Sequence, residues 1–112
     1  MAGAYAYQPT RRGRKSIPIP YLGQTSAGVP KDIFAYPGQV IQFPLNFIKG
    51  RVSDHFSLTV RGTSMINAGI HDGDYILLRK AESPENGAIM LVRYEDQSTV
   101  KRIKIKDGRV FR

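Results

Sequence analysis

The sequence contains no cysteine. That excludes a disulfide framework and any cysteine-ligated metal. It also lacks a long apolar run; nothing approaches the roughly 18 residues that a membrane-crossing helix needs. The N-terminus, Met1-Ala-Gly-Ala-Tyr-Ala-Tyr7, has neither the charged start nor the apolar middle of a secretory signal. A cytoplasmic protein with no membrane attachment is therefore expected. Acidic residues are scarce, nine against 17 lysines and arginines, for a formal charge of +8. An excess of that sign suggests an anionic partner. Much of that charge lies in two patches: Arg11, Arg12, Arg14 and Lys15, then Lys101, Arg102, Lys104, Lys106, Arg109 and Arg112. The first patch reads either as a solvated linker or as an arm that touches nucleic acid. Nothing resembling a helix-turn-helix is present to read a groove. No His/Asp/Glu spacing suggests a metal, and no Gly-rich loop leads into a helix to hold phosphate, so neither metal nor cofactor is expected.

What is there fits one small domain of 112 residues. Residues 1–16 read as a flexible basic arm: small residues, one proline, then the cationic cluster. Ile17-Pro-Ile-Pro-Tyr-Leu22 follows, and its two prolines allow an edge strand but not a central one. Gly23-Gln-Thr-Ser-Ala-Gly28 has the composition of an exposed loop, closed by Val29-Pro30. Short strands are predicted at 39–43, 56–60, 75–80, 88–94 and 99–106, with another beginning at Arg109. Turn signals separate them, as at Ser83–Gly87, Glu95–Gln97 and Asp107-Gly108. No long 3.6-residue period appears. The fold class expected is mainly β, a small antiparallel sheet or partial barrel with short helices or none.

The central stretch, Arg61-Gly-Thr-Ser-Met-Ile-Asn-Ala-Gly-Ile-His-Asp-Gly-Asp74, sets Ser64 on a sharp bend after a strand. A serine nucleophile needs a base within hydrogen-bond reach. Candidates are Lys101, His71 and His55. Strand side chains alternate faces, so Val100, Arg102, Lys104 and Lys106 share one face of the 99–106 run. Thr99, Lys101, Ile103 and Ile105 share the other. Lys101 is thus the one cation in phase with the isoleucines. A lysine held among apolar groups loses hydration, which penalises its ammonium form; alternatively it snorkels its head to water. A Ser64–His71–Asp arrangement can also be written, using Asp72 or Asp74. His71, however, lies seven residues away on a tight turn that points to solvent. His55 reads as a polar residue ahead of a strand.

Gly62-Thr-Ser-Met65, Gly69-Ile-His-Asp-Gly-Asp74 and Thr99-Val-Lys-Arg102 together resemble the self-cleaving serine peptidase domain of the LexA/UmuD type and of phage repressors. Leu22-Gly-Gln-Thr-Ser-Ala-Gly-Val-Pro30 resembles that family's cleavage loop, whose scissile bond joins Ala to Gly. Signal peptidases carry a similar Ser-Met pair, but with a proline close behind it that Ile66-Asn-Ala-Gly69 lacks. The resemblance covers about residues 17–106. It implies Ser64 as nucleophile and Lys101 as general base, the two standing 37 residues apart as in the family. It implies Ala27–Gly28 as the bond cut, with the backbone N–H groups of Thr63 and Ser64 as oxyanion donors. It also implies a role in the DNA-damage (SOS) response, a RecA–single-stranded DNA filament as inducing partner, and a homodimer.

Against that pattern, residues 17–112 form the expected peptidase domain, with the family's last strands apparently missing. The winged helix-turn-helix of LexA is not matched by the short arm, whose length is nearer to UmuD. DNA contact would then come through a missing N-terminal domain or through the basic arm. The competing expectation is a polymerase accessory or repressor dimerisation module that acts by binding, with little or no cleavage. A third is a basic β-domain that binds nucleic acid generally.

Overall fold

The computed structural model describes residues 2–7, 15–27, 38–95 and 97–111. Nine strands carry the fold: β1 Ala2–Tyr7, β2 Ser16–Ala27, β3 Val40–Pro44, β4 His55–Arg61, β5 Tyr75–Lys80, β6 Ile89–Tyr94, β7 Gln97–Arg102, β8 Lys104–Lys106 and β9 Arg109–Phe111. Among the described residues the only helical elements are three single 3-10 turns, at Leu45–Phe47, Val52–Asp54 and Ile66–Ala68. No described helix is long and apolar enough to cross a membrane. The mainly β expectation holds.

Seven strands form one sheet in the order β3-β2-β4-β5-β1-β6-β7. β2 also pairs with β7, so the sheet curls back on itself as a partial barrel. Most pairings are antiparallel, but β2 runs parallel to both β4 and β7. β8 and β9 form a separate hairpin.

β5 explains why the core has two sides. Its Ile76, Leu77 and Leu78 are all fully buried, so both faces of the strand are covered. Ile76 and Leu78 pack with Leu58, Val60, Met65, Ile70, Leu91 and Val100. Leu77 packs on the opposite face with Ile19 and Phe43. A smaller cluster of Met90, Val92 and Ile103 lies under the final hairpin.

Three expectations need correction. The segment Gly23–Ala27 is not an exposed loop but the second half of β2. Gly23 and Thr25 are buried, and the Thr25 hydroxyl shares a hydrogen bond of 2.8 Å with that of Ser98. Composition misled because small polar residues suit a loop, yet here Gln24–Ser26 pair with β4 and Ser26–Ala27 with β7, which gives their backbone partners. The proline half does stay peripheral: residues 16–20 pair with β3 alone, and pairing with β4 begins at Tyr21. A bulge between Tyr21 and Gln24 separates the halves, and Gly23 takes φ 116° there, a backbone region open to glycine.

Next, the arm predicted over residues 1–16 contains β1, which pairs along its length with β5 and through Ala2 and Gly3 with β6. The cations Arg11, Arg12 and Arg14 lie outside the described residues. Finally, the single strand predicted over 99–106 is two strands. The break falls at Ile103, which donates its N–H to Ala88 O and accepts from Gly87 N–H, each at 2.8 Å, so that two residues ahead of β6 face one on this side as in a bulge.

Candidate active site

Ser64 sits where β4 gives way to the glycine-rich turn. Gly62, at φ 108°, makes the bend that follows Arg61. Behind it a 3-10 turn closes through Ile66 N–H to Thr63 O at 3.1 Å, Ala68 N–H to Met65 O at 3.0 Å and Gly69 N–H to Ile66 O at 3.0 Å. Met65 is buried and anchors the turn in the main core, while Ser64 and Thr63 are exposed. Among the described residues neither Thr63 nor Ser64 donates a backbone hydrogen bond within this turn. Among the described residues, then, neither N–H group has a backbone acceptor.

Two carboxylates hold the turn in shape. Gly62 N–H donates to Asp72 Oδ1 at 2.9 Å. His71 N–H donates to Asp74 Oδ2 at 2.8 Å. Val60 N–H to Asp74 O (2.9 Å) and Gly73 N–H to Val60 O (2.7 Å) complete the clasp. Asp74 is buried and Asp72 exposed. These carboxylates are thus occupied in shaping the Ser64 loop, a role sequence reading missed. The signal was there: two aspartates flanking Gly73 are the residues that bond neighbouring backbone in turns.

The histidines are placed apart from any such task. His71 is exposed. His55 is buried as the first residue of β4. Its Nδ1 lies 2.8 Å from Arg51 O, and its Nε2 accepts from Lys49 N–H at 3.4 Å. With Nδ1 donating and Nε2 accepting, both ring nitrogens are engaged in local structure.

Lys101 is half-buried in β7, directly opposite Met90. Arg102, Lys104 and Lys106 are exposed, so Lys101 is the most covered of these four cations. Alternation puts Lys101 on the side of Met90, and Val100 with Arg102 on the side of Leu91. Accordingly it is Arg102 that shares a cleft of about 230 Å³ with Ser64, Met65, Asn67 and Ala68. Lys101 does not line that cleft. The Arg102 side chain is steadied by donating Nη1 to Gly87 O at 2.8 Å.

The backbone brings the remaining piece to the same place. At the end of β2, Ser26 pairs with Arg61 of β4 and with Thr99 of β7, and Ala27 pairs with Val100. Arg61 is three residues before Ser64, and Val100 is the residue before Lys101. The chain at Ala27 is therefore threaded between the strands that lead into Ser64 and Lys101. Gly28 lies outside the described residues.

The Peptidase S24-like family profile matches residues 20–112 of this chain. The chain belongs to the Peptidase S24-like family. Among curated relatives it is similar to the LexA repressor of Desulforamulus reducens, 40% identical over 94 residues that make up 84% of this chain and 43% of the relative. The LexA repressor of Moorella thermoacetica is 39% identical over 95 residues, 85% of this chain and 45% of the relative. That of Gluconobacter oxydans is 32% identical over 105 residues, 93% of this chain and 43% of the relative. The chain thus spans less than half the length of the relatives it matches. The family is one of serine peptidases.

Proposed function

We propose that this domain hydrolyses its own Ala27–Gly28 bond with Ser64 as nucleophile and Lys101 as base, as a LexA-like element of the DNA-damage response. The observation that carries this reading is the threading of Ser26–Ala27 between β4 and β7. A flexible loop has no reason to pair there, whereas a scissile segment must lie between nucleophile and base.

The neutral Lys101 amine takes the proton from Ser64 Oγ as the oxygen attacks the Ala27 carbonyl carbon. The resulting oxyanion is met by the N–H groups of Thr63 and Ser64. Collapse of the intermediate expels the Gly28 amine, which takes the proton back from the lysine ammonium. Water then hydrolyses the Ala27–Ser64 ester, giving fragments 1–27 and 28–112. Proton transfer requires the flexible Lys101 stem to carry its amine round to the Ser64 side. A partner that favours that arrangement accelerates the cut by population shift. By family resemblance the partner is the RecA filament on single-stranded DNA, acting on a homodimer.

Incubation at about pH 10, where more of a lysine amine is neutral, followed by intact-mass measurement tests the reading. Fragments 1–27 and 28–112 are expected, and Ser64→Ala should abolish them. A wild-type chain that stays whole at alkaline pH and with the filament present would leave the binding-only module as the function.

A further inference from the structure

We infer that the β8–β9 hairpin is a contact surface for the phosphodiester backbone of nucleic acid. The last twelve residues hold six of the 17 cations and a single carboxylate, Asp107. The hairpin sorts them. Ile105 is half-buried against the Met90, Val92 and Ile103 cluster, which fixes the inner face. Register then puts Lys104, Lys106 and Arg109 together on the outer face, and all three are exposed. Lys106 and Arg109 stand directly opposite each other across the two strands.

Like charges at directly opposed positions destabilise a hairpin. No hydrogen bond or ion pair among the described residues occupies the three side chains. An outer face that sets exposed cations side by side along an extended ribbon suits a linear polyanion of regular charge. Phosphate contacts of this kind position a strand without reading its sequence.

The probes are a fluorescent 20-mer of thymidylate, the same length of mixed sequence, and a duplex. Wild-type chain is expected to bind the single strands with little sequence preference. The variant Lys104→Gln/Lys106→Gln/Arg109→Gln should bind more weakly. Its slope of log affinity against log salt should be shallower by about 2 in magnitude, at about 0.7 per lost contact on a single strand. Lys104→Arg/Lys106→Arg/Arg109→Lys should keep both affinity and slope, which guards against a variant that merely misfolds. Neutralising Arg11, Arg12, Arg14 and Lys15 instead should leave the hairpin's share of the slope in place. No wild-type binding at 20 mM salt, or an unchanged slope in the glutamine variant, would overturn the inference. So would equal binding of polyglutamate at matched charge, which would assign the face to acidic protein.

Discussion

Lys101 and Ser64 come from opposite ends of the residue-level argument. Ser64 is exposed on a turn whose geometry is locally enforced, and its reactivity must come from elsewhere. Lys101 is half-buried, and the proposed reaction assigns it the role of base. Lys101→Arg keeps the charge and the stem but replaces the amine with a group that does not deprotonate in proteins. It should abolish the cut at every pH while leaving the thermal midpoint close to wild type. His71→Ala should leave the cut intact, since that side chain is exposed on the far arm of the turn. Asp72→Ala removes the acceptor that holds Gly62 N–H. Measured by intact mass at pH 10, it should slow cleavage several-fold, with a far smaller effect on melting because Asp72 is exposed. The bend at Ser64 and the partial cover of Lys101 were legible because each carries a local signature, glycines around a hydroxyl and a cation out of phase, whereas Ala27–Gly28 was singled out by family resemblance alone. Arg102 was not legible. Its place in the Ser64 cleft depends on how β7 meets the turn after β4, and no local pattern encodes that meeting.

Among the elements, β2 decides whether the segment bearing Ala27 is presented at all. Its outer half is peripheral and proline-bearing; its inner half is clamped between β4 and β7. The bulge at Gly23 lets one strand serve both, turning from an antiparallel neighbour to parallel ones. Gly23→Val puts a β-branched side chain at φ 116° in a buried position. A loss of about 1–3 kcal/mol in unfolding free energy is expected from the backbone alone, measurable by urea titration. Cleavage should fall with it even under conditions where the variant remains folded, because Ala27 would shift against β7. Normal cleavage in a folded Gly23→Val chain would detach the bulge from presentation of the bond.

At the scale of the whole molecule, one small sheet covers its apolar residues on both faces of β5. Leu58, Ile76 and Leu78 are fully buried in the cluster that also holds Met65, the residue after Ser64. Leu58→Ala should cost about 2–5 kcal/mol, a large part of what a domain of this size has in total. At roughly 4–8 °C per kcal/mol for chains near this length, the melting midpoint should drop by more than about 8 °C. Because Met65 anchors the turn from the same cluster, activity measured well below the new midpoint should also fall.

The sequence by itself determined the strands β3 to β6, the bend around Ser64, the odd phase of Lys101 and the cationic tail. All of these rest on neighbours within a few residues, where alternation, turn chemistry and charge act directly. Only the tertiary structure decided that Gly23–Ala27 is a strand, that β2 runs parallel to β4 and β7, and that Arg102 faces Ser64 across a cleft. Those outcomes join positions as far apart as Thr25 and Ser98. Pairing across such a distance depends on which strand edges remain open once the rest of the sheet has formed, and a local reading of the chain has no access to that.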